Sequence, residues 1–126
     1  SNMGIGLAYA DKMKALIEGW RKAWGCDFPF YFVQLAPFTY GNNGKLPYLW
    51  EAQVASLKIP HTGMAVTTDL VHNVNDIHPK NKQDVGKRLG AWALVKVYSQ
   101  AGASSGPLPT ICSLCPVRFT ASDGAL

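Results

Sequence analysis

The residues best suited to chemistry in this chain lie at positions 75–82, with the sequence NDIHPKNK. This segment places a carboxylate, Asp76, two residues before the imidazole of His78, and Pro79 then opens a long helical pattern. A histidine with a carboxylate beside it can act as a general base toward a hydroxyl nucleophile. In that arrangement Asp76 would fix the tautomer of His78 and stabilise the imidazolium.

The same spacing has a simpler interpretation. Asp76 could cap the helix that begins at Pro79, and His78 would then be an ordinary loop histidine. Spacing alone favours this second interpretation.

The elements that must position these residues alternate between helices and strands. Apolar residues at helical spacing predict a first helix over 10–24, ended by Gly25. The run 30–35 predicts a strand buried on both faces, because it is aromatic and β-branched and lies between two prolines. Pro47 begins a second helix, whose predicted inward side chains are Leu49, Trp50, Gln53, Val54 and Leu57.

The second half of the chain continues the alternation. Residues 63–68 predict a second strand, and residues 69–78 predict a polar loop. The third helix should run from Pro79 to near Tyr98 and should be well buried. Its predicted inward residues are Val85, Leu89, Trp92, Ala93 and Val97.

This order predicts an α/β fold with a parallel sheet. Two strands are too few for such a sheet, which needs neighbours on both sides and helices on both faces. We therefore expect a part of a larger domain, an assembly with another copy, or an extra strand from the tail. Residues 117–120 are the candidate for that strand.

Composition limits the function classes. The 126 residues fit one domain or part of one, and 48% hydrophobic with 16% charged residues can fill a core. The net charge is +4, but the Lys and Arg residues are scattered, which does not favour nucleic-acid binding. No apolar stretch approaches the roughly 20 residues of a membrane helix, and no signal peptide is recognised. Ser1-Asn2 before Met3 resembles a tag-cleavage scar.

No residue of the chain makes a convincing nucleophile. Residues 102–106 (GASSG) have the form G-x-S-x-G, but a nucleophile elbow follows a strand, whereas a predicted helix precedes this segment. Cys112 and Cys115 form a C-x-x-C pair. A structural zinc site would need two further ligands, and Cys26, His61 and His72 stand at unsuitable spacings. Free or incidentally paired thiols are the default expectation.

Aromatic residues flank the loop between the first strand and the second helix. Tyr40, Tyr48 and Trp50 could line a sugar-binding wall. The helical spacing of Trp50 with Val54 and Leu57 favours a core position for Trp50 instead.

Four blocks, in order, resemble the C-terminal part of the sialate O-acetylesterase family, a branch of the SGNH-type esterases. They are residues 28–38 (FPFYFVQLAPF), 49–53 (LWEAQ), 62–69 (TGMAVTTD) and 75–82. The resemblance implies a three-layer, flavodoxin-like α/β/α domain, here incomplete. It covers residues 9–108, after a tag scar and lead-in segment (1–8) and before an unrecognised tail (109–126).

The resemblance also implies roles for site residues. It assigns His78 as the catalytic histidine and Asp76 as its acidic partner. Many relatives space this pair as D-x-x-H, and that spacing would place the acid at position 75, where this chain has Asn75. It implies hydrolysis of acetylated carbohydrate without metal or organic cofactor. Family members are often secreted, periplasmic or lysosomal. We expect no nucleic-acid or membrane partner, and we expect self-association.

The family's serine nucleophile lies in an early G-Q-S-N-M block, and no such block is found in this sequence. The chain is therefore expected to be a fragment that carries the His/Asp block, with little esterase activity alone. The alternative is a non-catalytic remnant or a self-associating interaction module.

Overall fold

The computed structural model describes residues 6–40, 44–106, 108–110 and 118–120, of which the last two stretches are described by backbone alone. Helices α1 (Ala8–Trp24), α2 (Leu46–Ala55) and α3 (Lys82–Lys96) alternate with strands β1 (Phe30–Val33) and β2 (Thr62–Ala65). A short 3-10 turn, Ser56–Lys58, follows α2, and strands β3 (Leu108–Thr110) and β4 (Arg118–Thr120) complete the order. The predicted α/β alternation is confirmed.

Helix α1 buries one stripe and ends where the sequence predicts. Met13, Ile17 and Arg21 are its buried residues, spaced four apart along one face. Gly25 adopts the left-handed conformation, with φ of 69°, which a glycine accepts without the steric penalty of a Cβ. The helix therefore stops at Trp24, and the chain turns toward β1.

The buried Arg21 side chain ties α1 to both strands. Its guanidinium donates to the carbonyl of Phe28 at 3.1 Å, just before β1, and to that of Pro60 at 2.8 Å, just before β2. Only 8% of Arg21 is exposed. Three carbonyl dipoles, the third from His61, satisfy donors that would otherwise be costly to bury.

Strands β1 and β2 form a parallel pair, in which Phe30 lies opposite Thr62 and Val33 opposite Ala65. Pairing continues beyond the strands, because the amide of Gln34 donates to the carbonyl of Ala65 at 2.9 Å. The intervening α2 provides the crossover that parallel strands require.

The buried Gln53 side chain occupies the other edge of β1. Its amide accepts from the N–H of Leu35 at 3.0 Å and donates to the carbonyl of Val33 at 3.2 Å. These are the bonds that a neighbouring strand would make. Gln53 thus terminates this edge at the carboxyl end of β1.

Helix α3 lies across the strand pair through a close contact between Trp92 and Gly63. A Cβ built on Gly63 would overlap Cδ2 and Cε3 of the Trp92 ring, so only glycine fits there. The indole N–H of Trp92 donates to the carbonyl of Met64 at 3.0 Å, and its ring also packs against Tyr31. Trp92 therefore anchors α3 by shape and by a hydrogen bond.

Three details of the sequence prediction are wrong. Strand β1 is not buried on both faces, since Val33 is 39% exposed. Helix α3 starts at Lys82 rather than at Pro79, because Asn81 accepts the N–H of Asp84 and caps it. Trp92 is the one buried residue of α3, and Val97 is 46% exposed.

The tail forms a pairing of its own. Strands β3 and β4 are antiparallel, with Leu108 opposite Thr120, in a sheet separate from β1 and β2. The strand predicted at 117–120 thus exists as Arg118–Thr120, but it does not extend the parallel sheet. None of the described helices is both long and apolar enough to cross a membrane.

The Trp92 contact predicts that Gly63→Ala lowers the free energy of unfolding by about 1–3 kcal/mol, the usual cost of an overpacked core. Gly86→Ala on the exposed side of α3 is the matched control, because a Cβ there meets no atom within 4 Å. It should stabilise by about 0.5–1 kcal/mol, since alanine restricts the unfolded chain. Urea unfolding of both variants measures the difference, and equal midpoints would contradict the close-packing argument.

Candidate active site

The candidate site lies in the loops that leave the carboxyl ends of β1 and β2. In parallel α/β sheets these ends meet at one edge, where ligand sites form. The two ends are joined here by Thr67, whose hydroxyl donates to the carbonyl of Gln34 at 3.1 Å. The amide of Thr67 also donates to the Gln34 side chain at 3.4 Å. Both loops therefore start from a fixed point.

His78 lies on the loop between β2 and α3. Its side chain is exposed and lines a small cleft of about 140 Å³ with Leu70, His72, Asp76 and Pro79 among its neighbours. Apart from Leu70, this cleft is formed by loop residues that are partly or fully exposed. The imidazole is thus accessible to a reacting group, as a general base requires.

Asp76 contacts the backbone of His78. Its Oδ1 accepts the N–H of His78 at 2.9 Å, which makes a turn closed by an aspartate side chain. Within the described part of the chain, no hydrogen bond reaches the imidazole nitrogens of His78. The structure therefore brings the predicted pair together, but with the carboxylate holding the peptide rather than the ring.

The alternative role of Asp76 as the cap of the third helix is wrong. Asn81 caps α3, with its side chain accepting the N–H of Asp84 at 3.2 Å and donating to the Asp84 carboxylate at 2.8 Å. The prediction failed because proline is common in the first turn of a helix, which suggested a start at Pro79. The capping side chain is that of Asn81, two residues later, so the helix begins at Lys82.

A second turn precedes the first one. The amide of Asn75 donates to the side chain of Asn73 at 2.9 Å, and the amide of Asp76 donates to the carbonyl of Asn73 at 3.1 Å. Two consecutive turns closed by Asn and Asp side chains fix the backbone from Asn73 to His78.

Thr39 connects this loop to the loop after β1. Its amide donates to the carbonyl of Val74 at 2.8 Å, and its hydroxyl lies 3.1 Å from both that carbonyl and Oδ1 of Asn75. Asn75 occupies the position that D-x-x-H spacing would assign to the acid, and here it bonds to Thr39. Sequence reasoning missed Thr39, because the two residues are separated by 36 positions.

The aromatic residues near the first loop have separate roles. Tyr40 packs edge-on against Phe38, with ring centroids 4.8 Å apart, in the segment that carries Thr39. Trp50 is half-buried and donates from its indole to the carbonyl of Leu35 at 2.7 Å, so it is structural. Tyr48 is exposed on α2. Of the three aromatic residues predicted to line a sugar-binding wall, Tyr40 is therefore the one next to Thr39, which contacts the His78 loop.

An ion pair that sequence reasoning missed holds the start of the His78 loop to α3. The two terminal nitrogens of Arg88 donate to the two carboxylate oxygens of Asp69 at 2.6 and 2.5 Å, and Nη1 also donates to the carbonyl of Val66 at 2.7 Å. The hydrogen bond from Arg88 lowers the pKa of Asp69 below its ordinary value, and the same bond raises the pKa of Arg88.

The remaining candidates do not form a site in the described residues. Ser104 of the GASSG segment lies in a loop after α3, with no strand before it. Cys26 is a free, exposed thiol, whereas Cys112 and Cys115 lie outside the described residues. No cluster of His, Cys, Asp and Glu suited to a metal is found in the part of the chain that the structure describes.

Comparison with known proteins now decides the family. No protein-family profile matches the chain. Sialate O-acetylesterase from Rattus norvegicus is 35% identical over 80% of this chain, and the Mus musculus protein is 31% identical over 94%. The solved structure of a carbohydrate acetylesterase from Xanthomonas citri superposes with a TM-score of 0.83 and 33% identity over 94% of this chain. The chain belongs to the sialate O-acetylesterase family.

The match covers only a part of each relative. The chain spans 22% of the rat enzyme, 25% of the mouse enzyme and 29% of the Xanthomonas citri chain, about a quarter of their lengths. The α/β fold of this family member is thereby established for the segment that carries His78.

The Asp69–Arg88 pair predicts a pH-dependent stability difference. A carboxyl whose pKa is lowered by folding contributes stability above its unfolded pKa, near 3.8, and loses it as the pH falls through the lower folded value. Asp69→Asn should therefore lower the free energy of unfolding most above about pH 5, and this loss should shrink toward pH 3 and below. The contribution is modest, because 58% of the Asp69 side chain is exposed.

Urea unfolding of the original chain and of Asp69→Asn between pH 2.5 and pH 7 measures this difference. The same substitution in an Arg88→Gln background is the control, because the partner that lowers the pKa is then absent. A pH-independent cost in the original background would show that Asp69 gains nothing from Arg88.

Proposed function

We propose that this chain supplies the general base of a serine-type O-acetylesterase that acts on acetylated carbohydrate, such as an O-acetylated sialic acid. The observation that carries the proposal is the accessible imidazole of His78, on a loop fixed by Asp76 and Thr39, in a chain related to such enzymes. Because the chain spans about a quarter of the relatives, the activity is proposed for the assembled site.

The proposed reaction follows the serine-esterase scheme. A serine hydroxyl attacks the acetyl carbonyl while His78 takes its proton, and the imidazolium then protonates the departing sugar oxygen. The acetyl-enzyme is hydrolysed when His78 takes a proton from water and returns it to the serine. No metal or organic cofactor is required by this scheme.

The proposed role of Asp76 is to hold the peptide of His78, and thereby the position from which the ring extends. Its Oδ1 is engaged with the N–H of His78, whereas a carboxylate offers about four acceptor sites in all.

We further propose that the nucleophile and the oxyanion donors come from family sequence that this chain does not match. Residues 9–108 would then form the C-terminal part of a three-layer, flavodoxin-like domain, which additional sequence or self-association completes. On this proposal the 126-residue chain alone hydrolyses an aryl acetate poorly, since each absent oxyanion donor costs about 100-fold or more. Robust turnover, lost in His78→Ala, would show that the chain carries its own nucleophile.

The role of His78 can be tested in a complete enzyme. Residues 9–108 would replace the matching segment of the Xanthomonas citri acetylesterase, which is 33% identical. In this chimera His78→Ala should lower kcat/KM for an aryl acetate by about 100- to 10,000-fold, the usual contribution of general acid–base catalysis. His72→Ala is the matched control, since His72 is exposed on the same cleft, and should change the rate less than twofold. Equal effects would refute the assignment.

The role of Asp76 requires a different pair of substitutions in the same chimera. Asp76→Asn keeps an oxygen that can accept the N–H of His78, whereas Asp76→Ala removes it. If holding the peptide is the main role, Asp76→Asn should retain most of kcat, and Asp76→Ala should lose about tenfold or more. If both variants lose the same large factor, the negative charge is the essential property instead.

A further inference from the structure

We propose that a second cleft, between β2, α3 and residues 104–106, binds a neutral pyranose ring. The cleft has a volume of about 360 Å³, and Met64, Thr68, Asp69, Arg88, Trp92 and Ser104 are among its lining residues. This volume lies in the range of small-molecule sites, which combine an apolar lining with a few polar groups. This lining shares no residue with the cleft that contains His78.

Ser104 places a hydroxyl without an internal partner, in the part of the chain that the structure describes, on the lining of the cleft. Ser104 is only 5% exposed, and no hydrogen bond of its side chain is found among the described residues. Yet no fully enclosed side-chain polar atom there lacks a partner. The Ser104 hydroxyl therefore keeps some exposure, and because Ser104 lines the cleft, a bound hydroxyl group there could satisfy it.

The rim of the cleft supplies adjacent donors and acceptors. Arg88 carries five N–H groups, and its bonds to Asp69 and to the carbonyl of Val66 use three of them. Two N–H groups remain beside carboxylate oxygens that have further acceptor capacity. Two neighbouring hydroxyls of a sugar ring could match them, one accepting from Arg88 and the other donating to Asp69.

Charge and shape restrict the ligand class. Asp69 and Arg88 neutralise each other, so this pair gives the cleft no net charge that would favour an anion. Trp92 and Met64 line the cleft but are only 8% and 1% exposed, so they form a small apolar floor beneath the polar groups. These properties favour an uncharged sugar over a carboxylate sugar.

Titration of the isotopically labelled chain with methyl β-D-galactopyranoside and methyl β-D-xylopyranoside tests the proposal by NMR. Saturable shifts of the Trp92 indole and the Gly106 amide are expected with at least one glycoside, with weaker binding of N-acetylneuraminic acid. The same shifts should persist in His78→Ala, so failure of this site is distinguishable from failure of the proposed esterase. No saturable shift with either neutral glycoside, or tighter binding of N-acetylneuraminic acid, would overturn the proposal.

Variants of Ser104 give the second test. Ser104→Ala should weaken binding about fivefold, the effect of one lost hydrogen bond. Ser104→Val should abolish binding, because its branched side chain enters the cleft. Gln83→Ala is the control, since Gln83 is exposed on α3 outside the lining and its substitution should leave the affinity unchanged. Unchanged binding in both Ser104 variants would refute the role of this residue.

Discussion

The arrangement of the whole segment depends on the contact between Trp92 and Gly63. The ring lies where any side chain at Gly63 would stand, and its indole bonds to the next carbonyl of β2. This contact fixes α3 on the strand pair, and Arg88, one turn earlier in the helix, fixes the first residues after β2. The His78 loop is consequently held at both of its ends by one helix, although most of its side chains are exposed.

The fold could be predicted where local signals agreed with tertiary packing. The end of α1 at Gly25 is such a case, because helical spacing stops where a residue tolerant of positive φ begins. The start of α3 could not be predicted in this way. Pro79 and Asn81 are both start signals, and only the side-chain bond from Asn81 to Asp84 decides between them. The apolar composition of β1 predicted burial on both faces, whereas Val33 is 39% exposed. Composition shows that a strand can be buried, but it does not show which neighbours cover it.

The sequence predicted that Asp76 and His78 lie together on the loop after β2, but not which hydrogen bonds they make; their catalytic role stays a prediction. The spacing of Asp76 and His78 correctly placed a carboxylate beside a loop histidine, yet a short side chain reaches the N–H two residues onward more easily than it reaches a ring. The contacts from Thr39 to Asn75 and from Asp69 to Arg88 join residues 36 and 19 positions apart. No local pattern in a single sequence records such pairs, because they arise only when the two loops and α3 come together.

These contacts explain how an exposed loop can hold a group in a defined place. A general base must be positioned to within a fraction of an ångström, and loops without regular structure rarely provide this. Here the carbonyl of Val74, the side chain of Asn75 and the amide of His78 each have a partner on a short, polar segment. The backbone is thereby fixed without burying the imidazole, which leaves the ring of His78 accessible. A hydrogen-bonded peptide and an accessible ring are the two properties that the proposed role of His78 requires together.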